Sequence, residues 1–502
     1  MKDLGSFDLI VVGGGINGVG IARDAIGRGL SVLLCEKDDL AQGTSSRSGK
    51  LVHGGLRYLE YYEFRLVREA LIEREVLLNV APHIIWPMRF VLPHSPEQRP
   101  AWMIRIGLFL YDHLGGRKKL PPTRSLDLRT APEGRPIRKA FRRAFEYSDC
   151  WVDDARLVVL NALDLQKRGG VVRPRTPLVA ARRERDGWSV ELKDRTTGEA
   201  LGARGKAIVN AAGPWVEEVL RRTGRNADNR VRLIKGSHIV THKFWEGDQA
   251  YFLQNADGRV IFVNPYEGDL CLIGTTDIPF DGKADEVAIA PDEVDYLLAV
   301  VNRYFEIELK PADVLYSFSG VRPLYDDNAA NPSAVTRDYV FDIDAPDGAP
   351  ALLSVFGGKI TTYRKLAEHA LEKLAPFFPE IGAAWTQKAA LPGGDMPGAD
   401  FARMRADLAP RYPWLPAPVA AGYARRYGTR AEELLHGASS LADLGRHFGA
   451  TLYEREARFL IAEEWATTAE DILTRRTKHA LHLSAPEIVG FESWLASTRS
   501  ST

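Results

Sequence analysis

Residues 7–12 form a short, continuous apolar run rich in branched side chains, the pattern of a strand buried on both faces. Residues 17–28 read as a helix closed by Gly29, and residues 31–35 as a second buried strand ending at Glu36. Together they predict one βαβ unit. Residues 63–79 predict a charged amphipathic helix stopped by Pro82. Residues 83–145 carry many prolines and arginines and are expected to be irregular. Strand-like alternation returns over 171–213, clearest in Trp188-Ser-Val-Glu-Leu192, and residues 250–275 predict an antiparallel hairpin region. A helix is expected after Gly357-Gly358, running to Leu374. Leu391-Pro-Gly-Gly-Asp-Met-Pro-Gly398 reads as a linker, and residues 401–496 as mostly helical, with apolar positions at helical spacing over 454–465. This order predicts an α/β (α+β) protein: a parallel βαβ domain, an antiparallel-sheet domain and a C-terminal helical domain.

Length and charge narrow the function. A chain of 502 residues implies two or three domains. Basic and acidic residues number 66 each, so no strongly basic domain is expected and nucleic acid is excluded as a partner. Cys35, Cys150 and Cys271 lie far apart with no CxxC spacing, which argues against a disulfide framework or a zinc site and for a reducing, cytosolic compartment. The histidines show no paired ligand spacing, so no metal is expected. The first apolar stretch begins at Leu9 and ends within five residues, too short for a signal peptide. No apolar run reaches the ~20 residues that span a bilayer. The chain is therefore expected not to cross a membrane, while lying on one stays open.

Gly13-x-Gly15-x-x-Gly18 sits between the first strand and the helix. Gly13 permits the tight turn, Gly15 lets a pyrophosphate approach the backbone, and Gly18 lets helix and strand pack closely. The helix N-terminus then offers free N–H groups and partial positive charge to an anion. Glu36 follows Gly18 by 18 residues, where an acid accepts from a ribose hydroxyl. The turn therefore predicts a Rossmann-type dinucleotide site, against the alternative of a glycine-rich packing turn. It does not separate NAD from FAD, because both present an ADP half.

The next segment is Gly43-Thr-Ser-Ser-Arg-Ser-Gly-Lys-Leu-Val-His-Gly-Gly-Leu-Arg-Tyr58. Its hydroxyls and glycines suit a second phosphate and a flat ring lying on the backbone. This stretch resembles the FAD-dependent glycerol-3-phosphate dehydrogenases of the D-amino-acid-oxidase-like flavoprotein superfamily. Matching segments run along nearly the whole chain: Tyr147-Ser-Asp-Cys-Trp-Val-Asp-Asp-Ala-Arg156, Asn210-Ala-Ala-Gly-Pro-Trp215, Lys235-Gly-Ser-His238, Ile273-Gly-Thr-Thr-Asp277, Ser319-Gly-Val-Arg-Pro323, Phe356-Gly-Gly-Lys-Ile-Thr-Thr-Tyr-Arg364 and Asp471-Ile-Leu-Thr-Arg-Arg-Thr477. The resemblance is to the bacterial aerobic, respiratory branch. It implies FAD-binding segments over 1–82, 146–235 and 321–390, substrate-domain segments over 83–145 and 236–320, and a helical cap over 391–502.

Site residues follow from the same resemblance. The cofactor is expected at Gly13, Gly14, Gly15, Asn17, Gly18, Glu36 and Lys37, and along the loop at Thr44, Ser45, Ser46, Lys50, His53, Gly54, Gly55 and Leu56. Thr176 is expected to contribute its backbone, with Ala211, Ala212, Gly213 and Trp215 ending another strand. Gly358, Lys359, Ile360 and Thr361 open a helix toward the flavin pyrimidine, where that N-terminus and Lys359 can stabilise developing negative charge. The implied reaction is oxidation of sn-glycerol 3-phosphate to dihydroxyacetone phosphate by hydride transfer from C2 to FAD. Arg57, Arg322, Tyr58 and Lys359 are the expected phosphate and substrate ligands. Neither arginine has a carboxylate neighbour in sequence; a buried structural ion pair is the alternative. His238 is the expected base, titrating near neutrality, although a lone histidine in a strand also fits a structural role. His53 is a second candidate. His238, Arg322 and Lys359 form the expected catalytic set.

Electrons must leave the reduced cofactor, and the resemblance implies a membrane quinone, ubiquinone or menaquinone. Trp102, Met103, Ile106, Phe109, Leu110 and Leu114 share one helical face, flanked by Arg99, Arg105 and the 117–119 basic cluster. Pattern alone favours a core helix with basic flanks; the resemblance favours an interfacial helix on an anionic surface at the cytoplasmic face of the inner membrane. A homodimer is among the implied partners. An oxygen-using oxidase on the same scaffold is the alternative, and a non-catalytic nucleotide-binding regulator a third reading, opposed by the paired arginines.

Overall fold

The computed structural model describes residues 1–225, 231–255, 257–325 and 338–500. Two sheets organise the first four-fifths of the chain. In the first, Lys2–Val12 lies at the centre, paired in parallel with Val32–Cys35 on one side and Ala200–Asn210 on the other. Val171–Arg173 and Leu352–Phe356 extend it in parallel, and Val340–Asp344 closes one edge antiparallel. The predicted βαβ unit is present, with its helix at Ile16–Gly27. Val19, Ala22 and Ala25 of that helix are fully buried, in one core with Val158 of Asp154–Lys167 and Leu366 of Tyr363–Leu374. The other face buries Ile10, Val12 and Leu33 against Leu178, Trp188 and Val190, and strands buried on both faces read as continuous apolar runs, which is why this unit was legible. The strand order reverses across Lys2–Val12, so the glycine turn stands at the switch point where such sheets bind ligands.

The second sheet is mainly antiparallel. Val231–His242 pairs with Tyr316–Tyr325 on one side and Leu270–Gly274 on the other; Val260–Tyr266, Ala250–Gln254, Ile85–His94 and Arg143–Val152 follow. One face buries Ile239, Ile261, Val263 and Ile273 against Leu297 and Val301 of the helix Pro291–Tyr304. Side chains alternate along each strand, so the intervening residues form the opposite face. That face is the floor of the cavity described below.

Three expectations are corrected. Residues 83–145 are not irregular: they contain Ile85–His94, Ala101–Leu114, Arg124–Asp127 and the start of Arg143–Val152. Pro87 and Pro93 fall outside Phe90–Val91, the part of their strand paired on both sides, so their missing N–H groups are tolerated. The expected borders at 146, 236 and 321 fall inside Arg143–Val152, Val231–His242 and Tyr316–Tyr325, all strands of the second sheet. Turn composition marks where the chain bends, whereas pairing decides which sheet a strand joins. The 391–398 segment is packed rather than loose: Leu391 is fully buried and its N–H donates to the Val80 carbonyl at 2.8 Å. Beyond it the chain is helical as expected, with a short hairpin, His447–Gly449 and Leu452–Tyr453, added.

Candidate active site

The two sheets enclose a cavity of about 580 Å³. Its nucleotide end is built by the glycine turn. Gly13 has a φ of +118°, and a Cβ there would stand 2.5 Å from the Ala211 carbonyl oxygen. A Cβ on Gly18 would stand 1.9 Å from the Gly13 carbonyl oxygen, so this position can only be glycine for the helix to pack on the turn. Ser45 reaches across and accepts from the Ile16 N–H at 3.0 Å, capping the first turn of the helix. Glu36 accepts from the N–H groups of Gly14 at 2.6 Å and Asp38 at 2.8 Å. Burial raises its pKa against those two hydrogen bonds. On the far wall, Asn17 donates to the Gly357 carbonyl at 3.1 Å, joining the first glycine turn to Gly357-Gly358.

The floor is the free face of the second sheet. Phe318, His238, Gly274, Phe262 and Phe252 stand in one row across five strands. Gly274 leaves room for the His238 ring, since a Cβ there would lie 2.2 Å from His238 Cδ2. The ring stacks on Phe318 at 5.0 Å, and its Nδ1 is buried with no hydrogen-bond partner among the described residues. Burial, then the Lys50 and Arg322 cations, push its pKa down to about 3. The expectation that His238 titrates near neutrality is thereby corrected: burial and the two cations favour the neutral imidazole. Arg322 also lines the cavity, and its Nη2 donates to Asp277 Oδ1 at 2.6 Å. Lys359 Nζ lies 3.8 Å from the Tyr58 ring centroid, and Arg57 lines the same end.

Residues 8–364 match the sequence profile of the FAD dependent oxidoreductase family, and residues 384–486 that of the C-terminal domain of alpha-glycerophosphate oxidase. The chain belongs to the FAD dependent oxidoreductases. It is 62% identical to a D-erythritol 1-phosphate dehydrogenase of Brucella abortus, over 97% of each chain. It is 55% identical to a glycerol-3-phosphate dehydrogenase of Pseudomonas aeruginosa, over 98% of this chain and 95% of that one. Its structure superposes on the glycerol-3-phosphate dehydrogenase of Bacillus halodurans complexed with FAD with a TM-score of 0.79 at 27% identity, covering 99% and 91% of the two chains.

FAD is the cofactor of this oxidoreductase, and the cavity suits it. Gly13, Gly15, Asn17, Glu36, Thr44, Ser45, His53, Gly55, Leu56, Ala211, Ala212, Gly213, Trp215 and the run 357–361 all line its wall. Several expected cofactor residues stand behind that wall instead. Lys50 Nζ is buried in an ion pair with Asp154 at 2.8 Å and donates to the Ser46 carbonyl at 3.1 Å, so it braces the loop from behind. Gly54 packs on Leu71 and donates to Tyr111 Oη at 2.7 Å. Gly14, Gly18, Ser46 and Thr176 also lie outside the wall; the Thr176 N–H holds the Glu36 carbonyl at 2.6 Å, and Pro177 lines the cavity in its place. Lys37 does line the cavity, with its Nζ paired to Asp285 at 2.7 Å above the Trp215 ring. His53 Nδ1 accepts from the Gly55 N–H at 3.2 Å, which puts the ring proton on Nε2. Burial lowers the His53 pKa, Asp149 opposes that, and the Lys359, Arg322 and Arg74 cations add to it.

Three polar groups on the substrate side have no counterpart in the sequence reading: Asn264, Thr275 and Asp277 all line the cavity. Asn264 Oδ1 and Thr275 Oγ1 are buried without a hydrogen-bond partner among the described residues. Ile273-Gly-Thr-Thr-Asp277 carried the signal for the last two as a matching motif without an assigned role. Asn264, in an otherwise apolar strand, gave none.

Proposed function

We propose that this flavoenzyme oxidises sn-glycerol 3-phosphate to dihydroxyacetone phosphate and passes the electrons to a membrane quinone. The observation that carries the reading is that a buried histidine on the apolar floor lines the same cavity as Arg322, Lys359 and Arg57. The arginines and the lysine bind the phosphate dianion. Neutral His238 accepts the carbinol proton. FAD supplies the hydride acceptor when bound. The helix that opens at Ile360 directs its N-terminus, next to Lys359, at the cofactor wall. Anaerobic addition of glycerol 3-phosphate is expected to bleach the flavin absorbance, and a quinone analogue to restore it. Rapid restoration by air with stoichiometric peroxide identifies an oxidase instead.

A second substrate reading has its own support. The 62% identical relative carries the name of a four-carbon alditol phosphate dehydrogenase, and Asn264 offers a buried, unpartnered amide oxygen beyond His238 on the floor. The two substrates share a carbinol beside a phosphomethylene and differ in one further hydroxymethine. Replacing Asn264 with leucine is expected to lower kcat/KM for D-erythritol 1-phosphate by about tenfold while changing that for glycerol 3-phosphate less, as expected when a buried hydroxyl contact is removed. Equal losses on both substrates in steady-state assays exclude Asn264 as a reader of chain length.

We further propose that the enzyme lies on an anionic membrane at the cytoplasmic face. Among the described residues no helix is long and apolar enough to cross a membrane. The helix Ala101–Leu114 nevertheless leaves Trp102 63%, Ile106 52% and Phe109 60% exposed, beside exposed Tyr61, Tyr62 and Phe64. This supports an interfacial helix rather than the core helix that pattern alone favoured. Nearby Arg99, Arg105 and Lys118 each add about 1 kcal/mol at an anionic surface. The variant Trp102→Glu/Phe109→Glu is expected to stop flotation with anionic liposomes without loss of FAD. Unchanged flotation excludes this helix as the anchor.

A further inference from the structure

The C-terminal unit contributes a single turn, Asp471–Arg476, to the back of the FAD wall. Its Asp471, Arg475 and Arg476 are buried, and each has a partner in the cofactor half. Asp39 lies in the loop after Val32–Cys35, between the cavity-lining residues Asp38 and Ala41. Its carboxylate is fully buried and accepts from Arg475 Nε at 2.7 Å and from Arg476 Nη1 and Nη2 at 2.6 and 2.9 Å. Arg476 also donates to the Glu464 carbonyl at 2.7 Å, which anchors it to its own domain. Arg175 donates to both oxygens of Asp471, at 2.9 and 2.7 Å. The next two residues are Thr176, which holds the Glu36 carbonyl, and Pro177, which lines the cavity. Lys478 pairs with Asp153, the cap of Asp154–Lys167, and the adjoining Asp154 holds Lys50 and Ser48 of the hydroxyl-rich loop. Loops 37–43, 173–178 and 44–53 thus all terminate, directly or through one relay, on charges of the 471–478 segment.

Buried ion pairs add little net stability compared with apolar packing of the same volume, but they fix geometry. Here the geometry fixed is that of three loops whose other faces meet one ligand. We propose that residues 471–478 form a clamp that presets the FAD-binding loops, with Arg475, Arg476 and Arg175 as positioning residues, so that cofactor affinity depends on the C-terminal domain.

The test uses the full chain and FAD alone, independently of substrate identity. Apoprotein of Arg476→Met is titrated with FAD by quenching of flavin fluorescence, and Tm is measured with and without FAD. The expected result is a dissociation constant raised by about tenfold or more, the scale of one lost polar contact. The gap between holo and apo Tm narrows, and Arg476→Lys, which keeps the charge, recovers part of both. Equal falls in apo and holo Tm with an unchanged dissociation constant reduce the cluster to a domain brace and overturn the proposal. If Arg476→Met does not fold, Arg175→Met, at a partly exposed position, decides by the same two measurements.

Discussion

Replacing His238 with alanine is expected to lower kcat by about 10² to 10⁴, the range that a positioned proton acceptor supplies, while the flavin spectrum and the KM for the phosphorylated substrate stay close to those of the parent. The ring touches neither the glycine turn nor the 357–361 run, so the cofactor has no reason to leave. The pH dependence follows from the sign of the shift. A pKa depressed from the ordinary histidine value to about 3 leaves the imidazole deprotonated at every pH above that value, and makes it a weaker proton acceptor than a free imidazole. The parent enzyme should therefore show no acid limb from this residue between about pH 5 and 8, set against a reference histidine pKa near 6.5. The alanine variant should be slower by the same factor across that range. His238→Gln tests the structural alternative: it refills the space beside Gly274 without a base and should remain slow. A fast glutamine variant, or a parent profile with an acid limb near pH 6.5 that the alanine removes, would rule out the neutral-base assignment.

What the sequence revealed was what local chemistry dictates. The βαβ unit, its glycine turn and Glu36 lie within about thirty consecutive residues, and each has a fixed backbone reason to be where it is. Arg57 and Tyr58 follow closely after the hydroxyl-rich loop, and Lys359 follows Gly357-Gly358; all three line the cavity. What it concealed depends on distant partners. Lys50 sits among hydroxyl and glycine phosphate donors in sequence, yet its ammonium is claimed by Asp154, more than a hundred residues away, because that carboxylate is buried and needs a counter-charge. Arg322 has no acidic neighbour in sequence, but antiparallel pairing returns Asp277 to its side. The prolines of Ile85–His94 masked a strand because their tolerance depends on which neighbour each N–H would have met. The depressed pKa of His238 required both its burial and the two cations nearby, neither visible in Lys-Gly-Ser-His.

The Asp277 pairing gives the Arg322 prediction its shape. Arg322→Ala removes a forked donor from the phosphate end and also leaves Asp277 without that cation, facing a dianionic substrate. Both effects act in one direction, and kcat/KM for glycerol 3-phosphate is expected to fall by about 10² to 10³, in the range for truncating one member of a hydrogen-bonded charge pair. FAD content, read from the visible flavin bands, should be retained, because neither Arg322 nor Asp277 braces the nucleotide loops. Part of the loss belongs to the Asp277 carboxylate left facing the dianion, so Arg322→Ala/Asp277→Asn should recover several-fold over the single variant even though it carries two substitutions; this non-additivity is the signature of direct coupling. Arg322→Lys restores charge but not the fork, and should fall between. If the single variant turned over normally, the phosphate would have to be bound by Arg57 and Lys359 alone, and Arg322 would be only the structural partner of Asp277. If instead the double variant were no better than the single, Asp277 would not face the substrate, and the whole loss would measure the arginine's own contact.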